Sequence, residues 1–210
     1  MGSRDGVLTG LRFTPDEAAA VLTEVRLHAP GVPLTVTTDR ADLAAAFREL
    51  GFGDPAGPIA PTCTALALDD APPETAGVDV RRVENYDDFL LGLDIEDAVF
   101  GYSRRDDAGE IYRRRRARPG GEWLGFCDGQ AVAYGSAVAG PLGLYLSGGG
   151  TLPQARGRGA YRALVRARWD HAVALGTPAL VVHAQEASRP ILETLGFARV
   201  ATIHELEQAA

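Results

Sequence analysis

Gln154-Ala155-Arg156-Gly157-Arg158-Gly159-Ala160 decides how this chain is read. It follows a strand-like segment ending Ser147-Gly148-Gly149-Gly150-Thr151-Leu152-Pro153, and it runs directly into a helix-like segment, Tyr161 to Leu175. Glycines at a strand-to-helix junction take positive φ and let the backbone approach a ligand closely. The first N–H groups of a helix have no intrahelical partner and lie at the positive end of its dipole, so such a junction suits phosphate or pyrophosphate. Arg156 and Arg158 add charge beside it. The expectation is a ligand with a diphosphate; the bland alternative is a Gly-rich β/α junction with no ligand.

Composition narrows the choice. The 210 residues include no lysine, and all 21 basic residues are arginine. A Walker A loop needs its Lys to reach the β- and γ-phosphates, and a pyridoxal-phosphate enzyme needs a Lys Schiff base. A Gly-x-Gly-x-x-Gly dinucleotide turn would place glycine where Arg162 stands. A nucleotide-dependent enzyme therefore rests on the glycines alone.

Further landmarks lie downstream. Pro178–Ala184 is an apolar run of strand length, and Ser188–Phe197 is a helix-like segment closing on Leu195-Gly196-Phe197. Gln154-x-x-Gly157-x-Gly159, led by Thr151-Leu152-Pro153 and followed by helix, strand and Leu-Gly-Phe in that order, resembles the GCN5-related N-acetyltransferase (GNAT) superfamily, whose loop reads Gln/Arg-x-x-Gly-x-Gly/Ala. The helix from Ala160 carries an apolar stripe of Tyr161, Val165, Trp169, Ala172 and Val173, with Arg162, Arg166 and Asp170 on another face.

Length allows one large domain or two small units. The chain has no 18-residue apolar run and no secretory leader, so a soluble, cytoplasmic protein is expected, with no membrane partner. Met1-Gly2-Ser3 resembles a cloning scar. Cys63 and Cys127 are expected to be buried free thiols. His28, His171, His183 and His204 show no metal-ligand spacing, no metal is expected, and no Gly-x-Ser-x-Gly elbow is present. A net charge of −7 argues against nucleic acid as a partner.

Part of the chain repeats. Gly31-Val32-Pro33, a strand-like Leu34–Thr38, a helix-like Ala41–Glu49 and Leu50-Gly51-Phe52 follow the plan of Gly176-Thr177-Pro178, strand, helix and Leu195-Gly196-Phe197, each pair of landmarks 145 residues apart. Strand-like Cys63–Leu68 and Val200–Leu206 follow the two Leu-Gly-Phe turns. Before the first copy, Val7–Phe13 is strand-like, and Thr14-Pro15-Asp16-Glu17 has the form of a capping box with Pro at the first helical position. The counterpart of the phosphate loop, Thr9 to Thr14, lacks Gly-x-Gly. Residues 1–75 are thus expected to be a degenerate GNAT-like half-domain and 76–210 a complete GNAT domain, an arrangement similar to tandem GNAT proteins; two generic β-α-β units are the alternative. Asp69–Thr75 is the expected linker.

The second part is expected to begin with a strand at Val78–Val83 and a helix at Glu84–Phe100, with Phe89, Leu90, Leu93 and Val99 for a core. Glu122–Cys127 and Gln130–Ala139 around Asp128-Gly129 form a hairpin signal, and Leu142–Ser147 follows. This β-α-α-β-β-β-α-β-α-β order is that of the GNAT fold: α/β, a twisted mixed β-sheet flanked by helices, here preceded by a partial GNAT-like repeat.

The resemblance implies chemistry. Acetyl-CoA, as co-substrate, would lie where Gly143–Ser147 and Ala179–Gln185 splay apart. Backbone near Gly150, Thr151 and Leu152 would pair with the pantetheine amides. Backbone N–H groups of Arg156, Gly157, Arg158, Gly159 and Ala160 would hold the pyrophosphate, Gln154 is a further cofactor-binding candidate, and Ser188 stands where an Asn is frequent. An amine would attack the thioester directly in a ternary complex. The helix position where many members carry a general-acid Tyr holds Leu192. A thiolate of pKa ~8.5 is a good leaving group, and losing a general acid costs on the order of 10²-fold. Tyr145 as acid and His183 as base are the replacement candidates; a core Tyr and a buried His are their bland readings. Arg113–Arg116 with Arg118 form either a solvated, mobile helix–loop face or a rim drawing an acidic acceptor. The expected partners are acetyl-CoA and an amine, in a monomer or homodimer. The alternative is a catalytically weak acyl-CoA-binding module.

Overall fold

A computed structural model describes residues 6–56 and 62–210, so Met1-Gly2-Ser3 lies outside the described residues. In chain order the elements are β1 (Gly6–Leu8), α1 (Ala18–His28), β2 (Leu34–Thr38), α2 (Ala41–Glu49), β3 (Thr62–Leu68), β4 (Asp79–Arg82), α3 (Tyr86–Phe100), α4 (Ala108–Arg116), β5 (Gly120–Cys127), β6 (Gln130–Gly140), β7 (Gly143–Thr151), α5 (Ala160–Ala174), β8 (Leu180–Ala184), α6 (Arg189–Thr194) and β9 (Ala198–Gln208). They form two compact units. One gathers the described residues of Met1–Ala65 with His183–Arg189 and Arg199–Ala210; the other joins Leu66–Val182 to Pro190–Ala198.

In the first unit β1 lies parallel to β2, and β2 antiparallel to β9. Strand alternation places Leu34, Val36 and Thr38 inward, where Leu34 and Val36 pack with Ala18, Ala44, Phe47, Phe52 and Leu206. The capping box forms, with Thr14 N–H donating to the Glu17 carboxylate at 2.8 Å, although the turn it starts, Pro15–Glu17, is a 3₁₀ helix leading into α1. The strand expected over Val7–Phe13 shrinks to Gly6–Leu8, because Gly10 turns the backbone at φ +67° and ends the extended run.

The second unit carries the strands β8-β7-β6-β5-β4 side by side, antiparallel except for the β7–β8 pair. Asp128 (φ 51°) and Gly129 (φ 78°) make the tight turn between β5 and β6, the geometry that lets two twisted strands meet without splaying. Asn85 starts α3 by accepting from Asp88 N–H at 2.9 Å. Phe89, Leu93, Ile95, Ile111, Leu124 and Tyr134 form the core on this side. The charged run is helix α4. Its Arg113, Arg114 and Arg116 are exposed, as a solvated face requires, while Arg115 turns inward.

Helix α5 departs from its predicted stripe. Val165 and Ala172 are fully buried, but Val173 is half-exposed, whereas Arg168 is buried to 1 % exposure. Glycines explain the exchange: a Cβ at Gly135 would stand 3.0 Å from Arg168 Nη1, so the missing side chain is what admits the guanidinium beneath the sheet.

The two Leu-Gly-Phe turns share one hydrogen-bond pattern. In the first, Leu50 and Phe52 N–H donate to Phe47 O and Gly51 N–H to Arg48 O, at 3.0–3.1 Å. In the second, Leu195 and Phe197 N–H donate to Leu192 O and Gly196 N–H to Glu193 O, at 2.9–3.2 Å. Both glycines are left-handed, φ +90° and +98°. Phe47 and Leu192 are each fully buried.

Candidate functional site

The landmarks of the sequence converge at the end of β7 and the start of α5, both in the second unit. Among the described residues the parallel β7–β8 pairing covers only Leu144–Leu146 against Leu180–Val182, yet β7 continues to Thr151 along β6. Beyond Leu146 one edge of β7 is therefore released from β8. The β6–β7 register also slips between Tyr134 and Ser136, so that Gly148 and Gly149 together oppose one residue of β6, a β-bulge. Its local directions follow from what added Cβ atoms would meet. Gly148 and Gly150 face α3, at Glu96 and Val99, and Gly149 faces Tyr161 of α5. The sheet thus has α3 on one side and α5 on the other.

Past β7, Pro153–Ala155 makes one 3₁₀ turn and Gly159, at φ +85°, precedes α5 with no side chain to cap it. The first N–H groups of α5 therefore point outward uncapped. A Cβ at Gly157 (φ +79°) would meet nothing within 4 Å, whereas one at Gly159 would stand 2.6 Å from Thr75 Cγ2. The glycine at 157 thus answers to backbone conformation and the one at 159 to conformation and packing, rather than to phosphate space alone. Gly150 is glycine because Val99 Cγ1 would lie 2.7 Å from its Cβ.

The remaining loop residues divide. Gln154 and Arg156 are exposed and Ala160 is buried. Arg158 donates to Asp128 of the β5–β6 turn at 2.7 Å, a hydrogen bond that raises the already high pKa of its guanidinium. Leu152 N–H donates to Val132 O and its carbonyl accepts from Ala155 N–H, both at 2.9 Å, so the N–H is engaged while the carbonyl keeps a second lone pair. By strand alternation Thr151 then faces the released edge; its Oγ1 is buried without a hydrogen-bond partner among the described residues. Ser188 belongs to the first unit, where its Oγ donates to Gln185 O at 3.2 Å.

Tyr145 is half-exposed on β7, opposite Val138 and Val181. His183 belongs to the first unit rather than with Tyr145; burial pushes its imidazole below the usual value, which keeps the ring neutral at neutral pH. Leu192 is fully buried and occupies a core position.

The structure adds a cluster that sequence reasoning missed. On the α3 side of the sheet, Arg115 donates to Glu96 Oε2 (2.7 Å), Glu122 Oε1 (3.1 Å) and Tyr134 Oη (2.6 Å), and Tyr134 Oη donates to Glu122. Arg104 also donates to Glu96 Oε2, at 2.8 Å. Burial works against the Arg115 cation, but Tyr134, Glu96 and Glu122 outweigh it and hold its pKa above the ordinary arginine value. Burial first, and then Glu122, push Tyr134 well above the usual phenol value, so it remains a donor. Glu96, Arg115 and Glu122 of this network line a cavity of about 390 Å³ that also reaches Ser136, Ser147 and Gly148 at the bulge. Tyr145 pairs with Val138, another lining residue, and so shares that face of the sheet. The signal was present as a buried-length helix, α3, with an acid at 96 amid Leu93, Ile95 and Val99, but nothing local distinguished it from the surface acids around it.

No helix of the described residues is long and apolar enough to cross a membrane. No family model matches the chain, and no curated protein matches its sequence. Solved structures do match in fold. A GCN5-related N-acetyltransferase from Kribbella flavida, 18 % identical, superposes with a TM-score of 0.68 over 96 % of this chain and 79 % of its own. A tandem GNAT protein from the clavulanic acid biosynthesis pathway, 15 % identical, does so with a TM-score of 0.62 over 91 % and 68 %. AAC(6')-Iy, in complex with the bisubstrate analogue CoA-S-monomethyl-acetylneamine, matches 58 % of this chain and 90 % of its own at 17 % identity and a TM-score of 0.52. A mixed sheet with helices on both sides, a released β7 edge and a glycine-led α5 give this chain the fold of the GCN5-related N-acetyltransferases.

Proposed function

We propose that the chain is an acyltransferase that moves an acetyl group from acetyl-CoA to a primary amine by direct attack in a ternary complex. One observation carries the reading: β7 leaves β8 after Leu146 and delivers the chain to the uncapped N-terminus of α5. A released strand edge offers amide partners to a pantetheine arm, and the open N–H groups of α5 suit a pyrophosphate. Gly150, Thr151, Leu152, Gln154, Arg156, Gly157, Arg158, Gly159 and Ala160 are the proposed cofactor-binding residues, with Arg158 exchanging Asp128 for the ligand. Two fold neighbours support the cofactor by name: one was solved with a CoA bisubstrate analogue, and another is described by its lack of acetyl-CoA.

In the proposed reaction the acceptor ammonium gives up a proton to a base. The amine nitrogen then attacks the thioester carbonyl carbon, the C–S bond breaks, and the sulfur leaves with a proton from Tyr145, which the second ammonium proton replaces. The products are the N-acetyl amide, the CoA thiol and one proton. Tyr145→Phe and His183→Ala are expected to lower kcat while leaving CoA affinity unchanged; an unchanged kcat in both ends these two assignments.

Residues 1–75 are read as a GNAT-like half-domain and 76–210 as the complete one. The matching hydrogen bonds around Gly51 and Gly196 support an internal repeat. The buried Leu192 favours the second reading, a weak acyl-CoA-binding module.

Thermal unfolding with and without saturating acetyl-CoA tests the cofactor site. At 100 times Kd, binding contributes about 2.7 kcal/mol, a rise on the order of 5–10 °C for a chain of this size. The rise is expected in the wild type and absent in Gly159→Glu; no rise in either ends the reading. Release of free thiol with any amine then separates the enzyme from the binding module.

A further inference from the structure

We infer that the acceptor is a small amine that also carries an anionic group, and that the cavity beside α3 and α4 holds it by both ends. The inference rests on the acetyl-transfer reading above. At about 390 Å³ the cavity is of small-molecule size, with arginines unpaired among the described residues at its outer end and acceptor oxygens among matched charges at its inner end.

Arg82, Arg114, Arg116 and Arg118 line the outer part. Among the described residues Arg114, Arg116 and Arg118 make no ion pair, and Arg82 donates only to the Gly120 carbonyl, at 2.7 Å, besides lying 5.9 Å from the Trp123 ring. Four guanidiniums without a carboxylate stand on one rim in a chain whose net charge is −7. Like charges gathered this way repel one another unless solvent or an anion screens them, and the guanidinium fork fits a carboxylate or phosphate in two-point fashion.

The inner part holds the cavity's two carboxylates, Glu96 and Glu122, with their charges matched by Arg104 and Arg115. Glu96 is nearly fully buried, and its Oε2 takes both Arg104 and Arg115. Its Oε1 is turned to the bulge, where a Cβ on Gly148 would stand 2.8 Å from it. Ser136 Oγ and Ser147 Oγ lie beside it, 2.9 Å apart. A carboxylate oxygen and two hydroxyls, with glycine in place of a side chain, suit an ammonium group. They lie at the point where β7 parts from β8, so an amine held there faces the released edge on which the thioester is proposed to lie. Glu96 is in this scheme a positioning residue for the amine, and the arginine rim selects the anion.

Matched acceptor pairs test this: an amino acid against its carboxamide, and phosphoethanolamine against ethanolamine, assayed by thiol release for the wild type and for Arg114→Ala/Arg116→Ala. Both arginines are exposed, so the variant is expected to fold, and the rise in Tm with acetyl-CoA is measured for each protein. The expected result is at least tenfold higher kcat/KM for the anionic member of one pair, carried in KM, with the gap closed in the variant. The pair that responds distinguishes carboxylate from phosphate. Equal turnover within both pairs, a preference that survives in the variant, or no turnover of any member while acetyl-CoA still raises Tm overturns the inference and leaves the cofactor site standing. Loss of the acetyl-CoA effect in the wild type removes the underlying reading as well.

Discussion

At Gly159 two costs meet, a left-handed φ of +85° and a Cβ position 2.6 Å from Thr75 Cγ2, while Gly157 has the φ alone. Left-handed backbone costs a non-glycine residue roughly 1–3 kcal/mol. Gly159→Ala is therefore expected to lower stability in urea melts more than Gly157→Ala does; equal losses would mean that Thr75 gives way. Cys63 makes a second case at this scale. Burial and then Glu205 push its thiol up to about 11. The unfolded chain, with a thiol near ~8.5, loses the proton first as pH rises, so this contribution to stability is intact below pH ~8.5 and lost on the way to 11. Wild type should therefore lose more stability than Cys63→Ala between those values, and parallel pH profiles would contradict it. The same protonated thiol should react slowly with alkylating reagents at neutral pH.

Helix α6 shows what an element does to a residue's meaning. Leu192 stands where the family resemblance implies a general-acid Tyr, yet its carbonyl accepts the N–H groups of Leu195 and Phe197 and its side chain is wholly buried. Leu192→Tyr would force a larger, polar side chain into packed space, at a cost of typically 1–3 kcal/mol. A fall in Tm with no gain in kcat is expected; a gain in kcat would show that α6 can turn this position toward the thioester. On α4, Arg115 does what the other arginines of its run do not, because the helix turns only that position toward Glu96, Glu122 and Tyr134. Tyr134→Phe removes one of the two side-chain donors to the buried Glu122 carboxylate and leaves it Arg115. Its expected cost is about 1–3 kcal/mol, measured by denaturant midpoint.

For the molecule as a whole, charge and pH are the accessible variables. The KM of an anionic acceptor should rise with salt, since the arginine rim is exposed and exposed charges are screened over ~8–10 Å near physiological ionic strength; a flat KM from low to high salt removes the rim's role. Burial lowers the pKa of His183, and burial together with Arg82 lowers that of His171. The unfolded chain thus binds protons on these rings first as pH falls, and stability should decline below pH ~6.5. A thermal melt series from pH 8 to 5 reads this, and replacing both histidines with Gln should flatten it. Much of this protein is legible in local sequence. Gly157 and Gly159 before an apolar stripe, Asp128-Gly129 between two apolar runs, and the α2 bounds Ala41–Glu49 are local signals, because turn conformation, capping and period depend on neighbours in sequence. Those signals determined the order of elements and the place of the loop. Tertiary structure alone decided that Leu152 N–H bonds Val132 O, that Leu192 is core, that Arg168 slides under Gly135, and that Glu96, Arg115 and Glu122 meet around one cavity. Each of these depends on which residues the sheet and its helices bring together across tens of positions, and charge and burial at such a meeting are properties of the packing rather than of any one residue.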